Sequence, residues 1–360
     1  MSQLPATLPD APFAARAVEK TAALLSGLNA LTEHHRAACQ PYDRMVGTIF
    51  GNSPAARLSD VPWLPVQMFK RAELRSVPPE AVVKTLMSSG TSGQVPSRIF
   101  LDRETATAQT RALVKISGEF LGRSRLPMVI IDDASFLRDR TKFNARAAGI
   151  LGFSNLGRDH LYLLDDKLTP DWTAFHAFLE KHGDGPILLF GFTFIVWQSF
   201  VEAARRSGIA MRLPVGSILI HGGGWKRLED RKVAPETFKA ALLDTFGIAR
   251  VHNYYGMVEQ VGSIYFECEA GRLHTPAYSD VIIRSDRDLT PLGPGQPGLI
   301  QVVSLLPRSY PGHSLLTEDL GTLLGEDDCP CGRMGKYFAV HGRIKNVEMR
   351  GCSDTRPVAA

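Results

Sequence analysis

The sequence has no apolar run approaching the about 18 residues that a membrane-spanning helix needs. Its first residues, MSQLPATLPDAPFAARAVEK, lack a basic head followed by an apolar core, so they do not read as a secretory signal. Cysteine is scarce: five in 360 residues, an odd number, which argues against a disulfide framework. A reducing cytoplasm is the expected setting, where thiols are free, metal-bound or catalytic. No block of Lys/Arg stands out and the net charge is only +4, so no nucleic-acid partner is expected. The loop SSGTSG at 88–93 fits neither GxxxxGK[ST], the Walker pattern, nor GxGxxG, the dinucleotide fingerprint. No internal repeat or low-complexity tract is found. The slight positive excess suits an anionic substrate, weakly.

What is present reads as one large globular domain or two. Residues 12–46 carry a helical pattern (Phe13, Val18, Ala22, Leu25, Leu28, Leu31), and 104–122 read as another helix. Short apolar runs suited to buried strands follow: PMVIID (127–132), PILLFG (186–191), VGSILIHGG (215–223) and ARVHNYYG (249–256). Helical stretches lie between them, near 171–182, 193–207 and 234–246. This alternation predicts α/β layers. After residue 262 the runs SDVIIRS, GLIQVVSLL and YFAVHGR alternate with Pro/Gly turns, as in a small β-rich subdomain. The expected organisation is an N-terminal helical segment over 1–60, an α/β core over 61–262, a β-rich subdomain over 263–345 and a tail over 346–360.

Four short motifs carry the chemistry. The first is SSGTSG, 88–93, between AVVKTLM and the strand-like SRIFLD. Its glycines permit a close backbone approach, and successive N–H groups with Ser/Thr hydroxyls make an anion nest; a plain Ser/Gly turn has the same composition. In HNYYGMVEQVGS, 252–263, two tyrosines at a strand end could stack on a purine, while a Glu such as Glu259 is more often a solvated helix residue. LLTEDLGTL, 315–323, places Asp319 in a turn or at a strand end, where it could accept two ribose hydroxyls or serve only the local turn. In HGRIKNVEMRG, 341–351, Arg343 follows a glycine.

Taken in this order, Ser/Thr/Gly loop, YGxxE, TxDLG and GR, the motifs resemble those of the adenylate-forming superfamily. SSGTSG…SRIFLD, GFTFIVWQS, HGGGWK, YGMVE and the terminal RGCSDT together resemble the acyl-protein synthetases of the LuxE type, related to phenylacetate-CoA ligases, over roughly residues 60–355. The resemblance implies the N-terminal-domain fold of adenylate-forming enzymes, and an activity that joins a carboxylic acid, favouring a fatty acid, to ATP as an acyl-adenylate. It implies that Ser88, Ser89, Gly90, Thr91, Ser92 and Gly93 hold phosphates. His221, Gly222, Gly223 and Gly224, with Trp225, would form a strand-end loop beside the adenine and the acyl carboxylate. Tyr254, Tyr255 and Gly256 would flank the adenine, Glu259 would ligate Mg²⁺, and Asp319 and Arg343 would bind the ribose.

Two departures matter. Related ligases carry a lysine near the position of Ser97, where the nearest cation here is Arg98. They also carry a C-terminal domain with a catalytic lysine, which is expected to be absent because the sequence stops soon after Arg343. Lys226, Arg98 and Lys345 are the alternatives for the missing charge. In LuxE-type proteins a cysteine near the C-terminus takes the acyl group as a thioester, which singles out Cys352, with Arg350 and Lys345 near enough in sequence to lower its pKa; a buried, inert cysteine is the plain alternative. An acyl reductase is the implied partner.

The other cysteines make a pattern of their own. Cys268, His274, Cys329 and Cys331 have the spacing C-x5-H…C-x-C, which suits a tetrahedral structural zinc site; CPCG also reads as a simple turn. Cys39, in a helical stretch, reads as packing. GFTFIVWQSF (191–200) could line an acyl pocket or be plain core. Two other functions stay open: an acyl- or aryl-CoA or amide-forming ligase in which Cys352 has no catalytic part, and a nucleotide- or acyl-binding subunit without catalysis.

Overall fold

The computed structural model describes residues 9–88, 96–138, 145–209, 211–225 and 230–344. Ser89, Gly90, Thr91, Ser92, Gly93, Lys226, Lys345, Arg350 and Cys352 lie outside the described residues.

Leu24, Leu28 and Leu31 recur at helical spacing and are buried, and the helix Ala17–Ala38 forms around them. A second helix, Gln40–Phe50, starts directly after it. The helical pattern over 12–46 is therefore two helices. Pro41 lacks the N–H that an unbroken helix would use, but it fits a first turn, so the chain breaks at Cys39, which has extended backbone (φ −132°, ψ 93°) and is buried. Three strands follow: β1 (Leu64–Pro65), β2 (Lys84–Met87) and β3 (Arg98–Leu101), the last two an antiparallel pair. The helix Arg103–Leu121 is capped by Asp102, which accepts the Thr105 N–H at 2.7 Å.

Next come β4 (Leu126–Ile131), β5 (Gly157–Tyr162), β6 (Leu188–Phe192), β7 (Ile218–Gly222) and β8 (Arg250–Tyr255). They pair in parallel in the order β5-β4-β6-β7-β8. Met128–Ile131, Leu188–Phe190 and Ile218–Ile220 are almost fully buried, as a sheet covered on both faces requires. Helices Ala145–Ser154, Trp172–His182 and Pro235–Phe246 lie in the connections. The connection after β6 is helical from Thr193 to Arg206, with a π-helical stretch at Val196–Glu202. The strand order reverses between β4 and β6, and in open α/β sheets ligands bind beyond the carboxyl ends of the strands near such a reversal. Those ends carry Asp132, Thr193, His221 and Tyr254.

The chain returns with β9 (Tyr265–Phe266), β10 (Leu273–His274), β11 (Ser279–Arg284), β12 (Pro297–Ser304), β13 (Ser314–Glu326) and β14 (Lys336–Arg343). An antiparallel sheet runs β10-β14-β13-β12-β11, with β1 parallel to β13. Asp319 is neither in a turn nor at a strand end. It lies inside the 13-residue β13, whose register with β14 shifts just after it, between Leu320 and Gly321. The Gly and Thr around it invite a turn reading locally, but the ladder to β14 holds them extended.

By compactness the described residues divide after Glu119 and after Tyr254: Phe120–Tyr254 form one unit, and the segments before and after it form the other. These limits run across the ones read from composition. The N-terminal helix belongs with the β-rich segment because long-range polar contacts hold it there. The Ala17 N–H donates to the Asp327 carboxylate at 3.1 Å and 3.2 Å, and Lys20 meets Asp280.

Candidate functional site

Asp319 and Arg343 are register partners across β13 and β14, with Arg343 Nε 3.5 Å from Asp319 Oδ1. The Tyr255 hydroxyl donates to Asp319 Oδ2 at 2.7 Å. Neighbouring Glu318 accepts from the Gln67 amide and lies 3.9 Å from Arg343 Nη1. Arg343 thus sits between two carboxylates. Burial pushes the Asp319 carboxyl up, against the pull of Arg343 and Tyr255; burial and then Asp319 push the Tyr255 phenol well above its usual range. A carboxylate held by one hydroxyl and one guanidinium is built to accept hydroxyl groups from a ligand.

Glu259 is not a solvated helix residue. It is buried in a single 3₁₀ turn, Val258–Gln260. Gly262 ends that turn at φ +85°, and a Cβ there would stand 2.7 Å from the Gln109 backbone. Burial raises the Glu259 pKa, with Ser97 the first opposing group and Arg343 and Lys70 further ones. The Ser97 Oγ and the Gln260 Oε1 are buried without a hydrogen bond of full geometry among the described residues. Ser97 also closes the base of the Ser/Thr/Gly loop. Its N–H donates to Ser88 Oγ at 2.8 Å, and the Ser88 N–H donates to the Ser97 carbonyl at 3.1 Å. Arg98, next along β3, is exposed. It pairs with Glu73 at 3.7 Å, a surface contact worth about 0–1 kcal/mol.

In the unit Phe120–Tyr254, His221 and Gly222 end β7, opposite Asn253 and Tyr254 of β8. Gly222 has no room for a side chain, because a Cβ would lie 2.5 Å from the Tyr254 ring. That ring packs on Phe153, with centroids 4.7 Å apart. Successive strand residues face opposite ways, so Tyr254 and Tyr255 point apart: Tyr255 stacks on Tyr265 in the other unit's fold. Gly223 and Gly224 leave the strand at φ +82° and +69°, and Gly256 is exposed. Trp225 is buried against Trp197 and Phe238. At the end of β4, Arg146 makes a buried two-point pair with Asp132, at 2.7 Å through Nε.

Cys268, His274, Cys329 and Cys331 come together from separate segments, with all four ligand atoms within 4.8 Å of one another. Cys268 Sγ and Cys329 Sγ are 3.9 Å apart, and Cys331 Sγ is 3.3 Å from His274 Nε2. Two thiolates at about 2.3 Å from a tetrahedral zinc stand about 3.8 Å apart, so the donor set and its spacing fit that metal. Burial pushes the Cys268 thiol up to about 12 and the His274 imidazole down to about 4, whereas at Cys331 burial is outweighed by hydrogen bonds from Arg333, Cys329 and Cys268 and its pKa is lowered.

The family model described as acyl-protein synthetase, LuxE, matches residues 9–358. The chain belongs to the LuxE family. By that membership it is an acyl-activating ligase. Among its relatives are the long-chain-fatty-acid–luciferin-component ligases of Aliivibrio fischeri, 24% identical over 302 residues (82% of this chain, 78% of that one), and of Vibrio harveyi, 24% identical over 306 residues (82% and 77%). The fold matches 2-hydroxyisobutyryl-CoA ligase in its open conformation, with a TM-score of 0.71 at 16% identity over 96% of this chain and 80% of that one. It also matches the thioesterification state of that ligase, at 0.69 and 17% over 95% and 72%. The α/β fold is that of the adenylate-forming ligases.

Several polar groups at these places escape a reading of motifs. Thr193, Gln109, Gln260 and the Asp132–Arg146 pair have no motif signature, since single polar residues flanked by apolar ones look like strand ends. The DD at 132–133 directly after PMVII is a usable signal only for the carboxyl end of a parallel strand, the edge beyond which ligands bind in open α/β sheets.

Proposed function

We propose that this LuxE-family chain activates a long-chain carboxylic acid with ATP and then carries the acyl group on its own Cys352. The observation that supports it most directly is the Tyr255–Asp319–Arg343 cluster, a hydroxyl-accepting carboxylate at the TEDLG and GR motifs, within a match to the family that runs past Cys352. In the first step an oxygen of the acid attacks the α-phosphorus of ATP, the bond to the β-phosphate breaks, and pyrophosphate leaves. In the second, the Cys352 thiolate attacks the acyl carbonyl and AMP leaves, giving a thioester for delivery to an acyl reductase. Ser88 with Ser89, Gly90, Thr91, Ser92 and Gly93 binds phosphate oxygens through backbone and hydroxyl donors. Asp319 and Arg343 take the ribose hydroxyls. Tyr254, Tyr255, Gly256 and the His221–Gly224 loop border the base and the acid. Glu259 is the residue that would hold Mg²⁺, whose charge, when bound, offsets that building on the phosphates. Lys226, Arg98 and Lys345 are the cations proposed to assist.

Cys268, His274, Cys329 and Cys331 are proposed to hold a structural Zn²⁺, since four protein ligands leave no open position for chemistry. A cytoplasmic location goes with this reading; no helix among the described residues is long and apolar enough to cross a membrane.

The test is incubation with ATP, Mg²⁺ and a series of fatty and aryl acids. Pyrophosphate release with a hydroxylamine-labile acyl group on the protein, absent in Cys352→Ser, is expected. An acyl-CoA product with unlabelled protein would replace the reading with a CoA ligase, and no turnover of any acid would remove it.

A further inference from the structure

Thr193 and His221 form a closed hydrogen-bond circuit at the carboxyl ends of β6 and β7. Both side chains are buried, at 6% exposure. The Thr193 Oγ1 lies 2.9 Å from His221 Nδ1 and 3.1 Å from the carbonyl oxygen of Gly222. A hydroxyl has one proton, and a carbonyl oxygen only accepts. With the Thr193 proton given to Gly222, the contact to the imidazole has to be donated by Nδ1–H. That leaves the lone pair on Nε2. The ring is held in place by Phe238, with centroids 4.6 Å apart, and burial, with Lys239 and His252 adding to it, brings the His221 pKa down to about 3, so the imidazole is neutral.

We propose that Thr193 is a positioning residue that locks His221 as the Nδ1–H tautomer, so that Nε2 is presented as a hydrogen-bond acceptor to the ligand at the carboxyl edge of the parallel sheet. The inference rests on the acid-activating reading above for the identity of that ligand. An acceptor nitrogen favours a ligand group that brings an N–H and opposes carboxylates, phosphates and carbonyls. The exocyclic amine of adenine is such a donor, and hypoxanthine has a carbonyl oxygen in its place. Thr193 therefore contributes to the choice of ATP over ITP. Serine keeps the hydroxyl and valine keeps the shape without it.

The experiment has two readouts. The first is ¹⁵N NMR of histidine-labelled protein, with the His221 signals assigned among the ten histidines by His221→Gln. The protonated Nδ1 is expected in the wild type and in Thr193→Ser, and its loss as the single tautomer in Thr193→Val. The second is kcat/KM for pyrophosphate release with ATP and with ITP. The ATP preference is expected to fall about tenfold in Thr193→Val, the worth of one hydrogen bond, and to persist in Thr193→Ser. A protonated Nε2 in the wild type overturns the proposal, as does a Thr193→Val protein with unchanged tautomer and unchanged preference. If Thr193→Val does not fold, the wild-type tautomer and the Thr193→Ser protein decide. Absence of pyrophosphate release from the wild type with every acid sinks the activity reading, while the NMR result still decides the tautomer.

Discussion

Asp280→Asn is expected to be far more damaging than Lys20→Met, although the two residues face each other. Lys20 Nζ lies 3.7 Å from Asp280 Oδ1, and each side chain is 2% exposed. Lys336 Nζ reaches Asp280 Oδ2 at 3.3 Å, and the Val281 N–H donates to Asp280 Oδ1 at 2.8 Å. Burial acts to raise the Asp280 carboxyl, but the two ammonium groups and that N–H outweigh it, so its pKa is lowered. For Lys20, burial outweighs Asp280, and its pKa drops to about 8. A fall from 10.5 to about 8 means that the pocket disfavours the Lys20 charge by about 3 kcal/mol. Removing Asp280 strands two cations, one of them fully buried, and is expected to cost about 3–5 kcal/mol. Removing Lys20 leaves Asp280 with Lys336 and Val281. Its bonds to Thr275, at 2.5 Å to Oγ1 and 3.2 Å to the carbonyl, are lost, but so is a desolvated charge. The net change is expected within about 1 kcal/mol of zero. Urea denaturation of both variants at pH 7, with m-values compared, is the assay. Equal destabilisation by the two substitutions would refute the reasoning.

Three further outcomes are expected. His35 and His313 are fully buried and stacked, with ring centroids 4.9 Å apart, and burial holds both pKa values down, that of His313 to about 3. Their folded pKa values lie below the unfolded one, so this stability is complete above about pH 6.5 and lost as pH falls; at pH 5 each costs about 2 kcal/mol, and His313→Gln should flatten the pH dependence of the urea midpoint. Cys329→Ser should lower bound zinc measured by elemental analysis and reduce the melting temperature, whereas equal zinc in variant and wild type would remove the metal proposal. Gly262→Ala puts a Cβ against the Gln109 backbone at positive φ and should cost about 2 kcal/mol or more, read by thermal melting; an unchanged melting temperature would mean that the turn carrying Glu259 relaxes freely.

The regular elements were open to a reading of the residues alone. PMVIID, PILLFG and SILIHG are uninterrupted apolar runs, and a strand buried on both faces needs nothing more than that; the helices between them declare themselves by their 3.6-residue spacing. The LuxE-type motifs were equally visible, because each is a short run of neighbouring residues in the sequence. Cys268, His274, Cys329 and Cys331 were visible as residue types with a metal-ligand spacing.

Tertiary structure decided what local composition cannot carry. TEDLG looks like a turn until β14 pairs with it, and only that ladder sets Arg343 against Asp319. Glu259 looks solvated until Gly262 and Gly312 let the backbone close around it. Cys268, His274, Cys329 and Cys331 are one cluster only because β10 and β14 are neighbours. Thr193 has no motif at all; its role depends on a histidine 28 residues away being one hydrogen bond from it. Periodicity and composition are properties of neighbours in the chain, whereas hydrogen-bond geometry and desolvation belong to neighbours in space.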